Sequence, residues 1–231
     1  MEWQWILHYQ LFLFDFDGLL VDTEHLHYQA YINMCAQRDF PLNWSFQRYS
    51  QAAHHQSSDL RDQIYAEFPK LQAMEPNWHV LYEEKKRHFL DLIENEPILL
   101  LPGVVDLLLA LQEAGIKRCV VTNSAASMVQ RIRKKNPLLE TIPHWITRED
   151  YTQPKPHPEC YQTAIAKLAQ SHDRIIGFED SPRGLHALLE TKAKPVLICP
   201  PDSSYLDKVL PAHPHVRYYP SFTAIQNSLV P

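Results

Sequence analysis

The chain has 231 residues, 45% of them hydrophobic and 21% charged, with a formal net charge of −5. This is globular composition, enough for one large domain or one domain carrying an insertion. It holds no basic block of the nucleic-acid-binding kind and no run approaching about 18 consecutive apolar residues. The start, Met1-Glu2-Trp3-Gln4-Trp5, lacks the cationic region of a signal peptide. The expectation is a cytoplasmic protein, monomer or weak homodimer, with neither nucleic acid nor membrane as partner. Cys35, Cys119, Cys160 and Cys199 form no CxxC pair and read as buried free thiols.

In chain order, Trp3, Trp5 and Ile6 precede the first element and read as cover for a core edge. Leu11-Phe12-Leu13-Phe14 then runs straight into Asp15-Phe16-Asp17-Gly18. Four consecutive apolar residues predict a strand buried on both faces, as in parallel sheets. Burying two unpaired carboxylates is costly, so Asp15 and Asp17 belong at the strand's open end, where α/β sheets bind ligands. From Thr23, a candidate N-cap, to Arg38 the pattern is helical. Weaker helical patterns cover Phe46–Ala53 and Ser57–Phe68, Pro69 and Pro76 read as turns, and a longer helix spans Trp78–Glu94. No strand is predicted between residues 23 and 96.

From Pro97 the pattern becomes regular. A helix runs from Pro102-Gly103 to Gly115, the strand Lys117–Thr122 follows, and Ser124–Lys135 is helical. Trp145–Thr147 is a short strand, Pro158–Ala169 a helix, Arg174–Phe178 a strand, Pro182–Thr191 a helix and Pro195–Cys199 a strand. The tail gives a short helix near Leu206, a minor strand at Val216–Tyr219 and a last helix from Phe222. Strands alternating with helices of 10–15 residues predict a parallel sheet with right-handed crossovers. The fold class is α/β: a Rossmann-like parallel-sheet core, residues 1–19 and 98–231, with helices on both faces and an inserted all-helical cap domain, residues 20–97. The connections at 19–22 and 96–101 read as hinges, and the insertion is expected to overhang the two carboxylates as a lid.

Parallel strands bring four groups to one edge: Asp15 with Asp17, Thr122-Asn123-Ser124, Lys155, and Glu179-Asp180. A carboxylate such as Asp15 can act as a nucleophile and form an acyl-phosphate. Asp15 and Asp180 offer hard oxygens for Mg²⁺, with the Asp17 carbonyl as a further ligand. The cation lets an anionic nucleophile approach an anionic phosphate. The Thr122 hydroxyl, nearby amides and the Lys155 ammonium suit the phosphoryl oxygens. The Asp17 side chain suits proton transfer to the leaving group and from the attacking water.

Four motifs stand in order: Asp15-Phe16-Asp17-Gly18-Leu19-Leu20-Val21-Asp22-Thr23-Glu24, Val121-Thr122-Asn123-Ser124, Lys155-Pro156-His157-Pro158-Glu159, and Gly177-Phe178-Glu179-Asp180-Ser181-Pro182-Arg183-Gly184. On these residues the chain resembles the haloacid dehalogenase superfamily, in its phosphatase and phosphomutase branch with a helical cap after the first strand. The resemblance implies Asp15 as nucleophile, Asp17 as acid/base, Thr122 and Lys155 with the adjacent Asn123 as phosphate binders, and Asp180 as metal ligand with Glu179 as an additional or outer one. Aspartate at position 17 favours phosphoryl transfer, because members that cleave carbon–halogen bonds lack this second acid. The expected activity is a Mg²⁺-dependent phosphatase for a small phosphorylated metabolite. The alternatives are a sugar phosphomutase of the β-phosphoglucomutase kind and a non-catalytic module binding a phosphorylated ligand or a protein.

Within the cap, His27 is similar in position to a phosphomutase cap histidine and is a candidate for substrate contact. Lys85 or Lys86 could reach over the site from the cap, although a solvated helix face is the favoured reading, and His54-His55 read as surface histidines. The Gln51–Gln56 stretch lacks the glycine that relatives carry in a specificity loop.

Overall fold

The computed structural model describes residues 3–55, 59–225 and 229. By contacts the chain divides into two compact units, one of residues 1–22 and 98–231 and the other of residues 23–97. No helix among the described residues is long and apolar enough to cross a membrane.

The first unit is built on a six-stranded, all-parallel sheet, order β3-β2-β1-β4-β5-β6. The strands are β1 Leu11–Phe14, β2 Lys117–Val121, β3 His144–Ile146, β4 Ile175–Glu179, β5 Lys194–Ile198 and β6 Arg217–Tyr219. All four residues of β1 are buried, as the unbroken apolar run requires of a strand covered on both faces. Strand alternation sends Leu11 and Leu13 into one cluster with Cys119, Val121, Tyr161, Ala164 and Leu188. Phe12 and Phe14 stack on Phe178, with centroids 6.1 and 5.2 Å away.

Trp5, in a 3-10 turn over Gln4–His8, meets Phe12 at 5.7 Å and Phe178 at 6.3 Å. The aromatic residues ahead of β1 therefore cover this second face. All four cysteines are buried free thiols. The α-helices of this unit are α6 Val104–Glu113, α7 Ala126–Lys135, α8 Glu159–Leu168, α9 Pro182–Leu189 and α10 Leu206–Ala212. Only a 3-10 turn, Phe222–Ala224, stands where the last helix was expected to begin, and residues 226–228 lie outside the described set.

One glycine explains how the chain turns out of the sheet. Gly18 (φ 79°) lets the backbone leave β1 directly behind the two aspartates, in a conformation that side chains resist. Beyond it Val21 bridges Asp17 on one side and Leu100 on the other, and the Asp22 amide donates to the Leu99 carbonyl at 2.9 Å. The two chain segments that flank the insertion thus run side by side.

The second unit is helical: α1 Glu24–Gln37, α2 Phe46–His55, α3 Asp59–Glu67, α4 Pro69–Met74 and α5 Trp78–Asn95. Its core gathers Met34, Cys35, Ile64, Leu71 and Leu81. Three expectations need correction here. Thr23 stands at the N-cap of α1 but its side chain makes no capping bond. Pro69 opens α4 rather than breaking the chain, because proline at the first helical position has no amide to leave unpaired. Lys85 is not solvated: it is 3% exposed, over the rings of Tyr31 (4.9 Å) and Phe89 (4.8 Å), with Nζ 2.6 Å from His27 Nδ1. An ammonium only donates, so Nδ1 is the acceptor, and the His27 ring stacks on Phe89 at 3.9 Å. Lys86 fits a helix face, paired with Glu83 at 2.5 Å. The side chains of His54 and His55 lie outside the described residues.

Candidate active site

The sheet order puts β1 between β2 and β4, and the ends of these three strands carry Asp15, Thr122 and Glu179 with Asp180. Lys155 enters from the loop ahead of α8. Its Nζ donates to Asp15 Oδ1 (2.5 Å), Glu179 Oε1 (2.6 Å) and the Val121 carbonyl (2.8 Å), with the Tyr161 hydroxyl at 3.2 Å. Asp15, Lys155, Glu179 and Asp180 are all buried.

Burial, reinforced by the Glu179 charge and opposed by Lys155, pushes the Asp15 carboxyl up to about 7. Burial alone would make Lys155 less basic, but the Asp15 and Glu179 charges outweigh it and hold the ammonium well above its ordinary range. At neutral pH Lys155 is a fixed cation.

Asp17 has separate partners. Its Oδ2 accepts from the Ser124 hydroxyl at 2.6 Å, with the Thr122 hydroxyl at 3.4 Å. Thr122 Oγ1 also accepts the Ser124 amide at 2.9 Å, which closes the turn after β2. Asn123 is anchored within the protein: its Oδ1 accepts the Tyr151 hydroxyl at 2.7 Å and the Lys155 amide at 3.3 Å. The Thr122 carbonyl lies 2.9 Å from the same hydroxyl, whose one proton these two acceptors share. The loop bearing Lys155 is thereby tied to the turn bearing Thr122.

Glu179 and Asp180 are held by different means. The Tyr161 hydroxyl donates to Glu179 Oε1, and the Tyr205 hydroxyl to the Asp180 carbonyl. Glu179 Oε2 has no hydrogen-bond partner and lies against Gly184, the third residue of α9. A Cβ at Gly184 would overlap both carboxylate oxygens, which is why glycine stands there although its backbone is ordinary.

Asp15, Glu179 and Asp180 each offer an oxygen within 4.8 Å of the others, the one group among the described residues placed to hold a metal ion. With Asp17 that makes four carboxylates beside one buried ammonium, and an all-oxygen donor set with surplus negative charge suits a hard divalent cation such as Mg²⁺. His27 belongs to the other unit, where Lys85 holds it.

Sequence reasoning gave Ser124 no role of its own and missed Tyr151, Tyr161 and Tyr205. Ser124 was legible only as part of its motif, and nothing separates the three tyrosines from ordinary core residues before the fold is known.

A six-stranded parallel sheet with a buried carboxylate–lysine pair and a cluster of acidic side chains at its strand ends is an arrangement that fits the haloacid dehalogenase type. The profile of the haloacid dehalogenase-like hydrolases matches residues 12–198. The chain belongs to this family, and its similarity to members named as phosphatases makes it a phosphoric monoester hydrolase. It is similar to protein CbbY of Cereibacter sphaeroides, 26% identical over 76% of this chain and 77% of that protein. It is similar to hexitol phosphatase A of Escherichia coli, 27% identical over 86% and 87%. Among solved structures, a family IA, variant 3 hydrolase of this superfamily from Entamoeba histolytica superposes with a TM-score of 0.75, at 25% identity over 94% of this chain and 95% of that one.

Proposed function

We propose that the protein is a Mg²⁺-dependent phosphatase of a small phosphorylated sugar or sugar alcohol, working through an aspartyl-phosphate on Asp15. The observation that carries this reading is the division of labour between the two aspartates. Asp15 is buried and paired through Oδ1 to a lysine, which leaves Oδ2 to attack phosphorus. Asp17 is instead bonded to Ser124 and provides a second carboxyl group for the proton transfer. Hexitol phosphatase A supports the substrate class.

In this mechanism Lys155 holds the Asp15 carboxylate and neutralises charge that builds on the phosphoryl oxygens. Thr122 Oγ1 and the amides of the turn after β2 receive the same oxygens. Asp17 gives its proton to the departing alcohol and then takes one from the water that attacks the aspartyl-phosphate. Asp15, Asp180 and the Asp17 carbonyl would hold Mg²⁺, with Glu179 as an additional or outer ligand. When bound, the cation offsets the repulsion between nucleophile and phosphate. His27 is a candidate contact for the substrate's alcohol portion.

The test is a panel of hexitol phosphates, aldose and ketose phosphates and phosphoglycolate, assayed for Mg²⁺-dependent phosphate release. At least one ester should be hydrolysed, and Asp15→Asn should reduce its kcat at least about a thousandfold. Full turnover by Asp15→Asn refutes the mechanism. Isomerisation of β-glucose 1-phosphate in place of phosphate release assigns the protein to the mutases.

A further inference from the structure

We propose that Tyr161 is a positioning residue for phosphoryl transfer, its phenol sharing Glu179 with Lys155 so that the ammonium stays on Asp15. The inference rests on the phosphatase reading above. Tyr161 is fully buried on α8, three residues beyond Pro158, and no solvent reaches its hydroxyl. The phenol's one proton goes to Glu179 Oε1, because its other polar neighbour, Lys155 Nζ, has nothing but donors.

The ammonium has three protons and four acceptors around it: Asp15 Oδ1, Glu179 Oε1, the Val121 carbonyl and the Tyr161 oxygen. Two carboxylates therefore compete for one cation. Glu179 Oε2 is turned into Gly184 and makes no hydrogen bond, so Oε1 carries all the hydrogen bonding of that side chain. A second donor on Oε1 lessens the share of Lys155 that Glu179 needs. The ring contributes too, with the ammonium 4.8 Å from its centroid.

Tyr161→Phe removes one oxygen and keeps the ring in its cluster with Leu13, Val121 and Ala164. Glu179 then depends on Lys155 alone and draws the ammonium from Asp15. Transfer geometry suffers more than ground-state binding, since small misplacements act on the reacting atoms. The experiment measures kcat and KM of the full chain on the best ester of the panel at saturating Mg²⁺. It includes Tyr161→Phe, Glu179→Gln and the double variant, and Mn²⁺ affinity of the phosphate-free proteins by electron paramagnetic resonance.

The expected result for Tyr161→Phe is a kcat about tenfold lower with KM and Mn²⁺ affinity within about threefold. In the Glu179→Gln background the same change should cost less than twofold, because residues that act through one another are not additive. An unchanged kcat, a loss carried by KM or Mn²⁺ affinity, or a full tenfold loss in the Glu179→Gln background overturns the proposal. An inactive wild-type protein fails the phosphatase reading, whereas an active wild type matched by Tyr161→Phe fails this inference alone.

Discussion

Gly184→Ala sets two physical effects against each other. Gly184 lies in the first turn of α9, its amide donating to Ser181 Oγ at 3.2 Å, with no positive φ to demand glycine. Helix propensity alone makes alanine better by about 1 kcal/mol. The new methyl, however, overlaps the carboxylate of Glu179, which is buried and bonded to Lys155 and Tyr161. Overpacking of this kind costs roughly 1–3 kcal/mol, and each hydrogen bond to a charged group that is lost adds roughly 1.5–3 kcal/mol. With one such bond broken, the net effect is a loss of roughly 1.5–5 kcal/mol, or about 3–20 °C in Tm for a chain of this size. A carboxylate displaced by about 1 Å also moves Lys155, so kcat should fall about a hundredfold. Differential scanning fluorimetry and steady-state phosphatase kinetics read the two effects. An alanine variant at least as stable as wild type and fully active would show that helix propensity wins and that Glu179 moves aside freely.

Two further outcomes test the rest of the site. Ser124→Ala removes the 2.6 Å donor to Asp17 and should lower kcat about tenfold with KM within about threefold, less than the roughly 10²–10⁴ that general acid–base catalysis supplies; full activity would show that Asp17 needs no such support. In chelator-treated protein, the stability difference between wild type and Asp15→Asn should decline as pH rises from about 4 to 7. Burial raises the native Asp15 carboxyl from its usual 3.8 to about 7, so in that window the folded chain keeps a proton that the unfolded chain has lost. Added Mg²⁺ favours the charged carboxylate and should flatten the decline; a difference that is flat or rising in chelator contradicts the burial argument.

The sheet was legible in the sequence because buried parallel strands are written in apolar runs, and β1, the Cys119–Val121 end of β2 and the Ile175–Phe178 part of β4 are such runs, each ending beside a polar residue. The polar ends could be listed as candidates because burial leaves them no other inexpensive place. What the sequence hid is mostly a matter of direction. Tyr161 and Tyr151 occupy core positions, and only the fold shows that their hydroxyls end on Glu179 and Asn123. Lys85 reads as solvated by charge alone, yet its long stem lets the helix bury it among Tyr31, Phe89 and His27. Pro69 reads as a break because a proline that opens a helix and one that ends it look alike without the neighbouring turns.

The ladder at Asp17, Val21 and Leu100, with Asp22 bonded to Leu99, gives the sheet a closed neck. To the strands on either side, everything from Thr23 to Pro97 is a single loop whose ends already touch. Closing a longer loop at such a neck adds only about 0.6 kcal/mol for each doubling of its length. The sheet is therefore nearly indifferent to how many helices are threaded there. The insertion can be lengthened, shortened or rewritten with little penalty to the register of β1. A fold of this kind lets one reaction be kept while a third of the chain drifts.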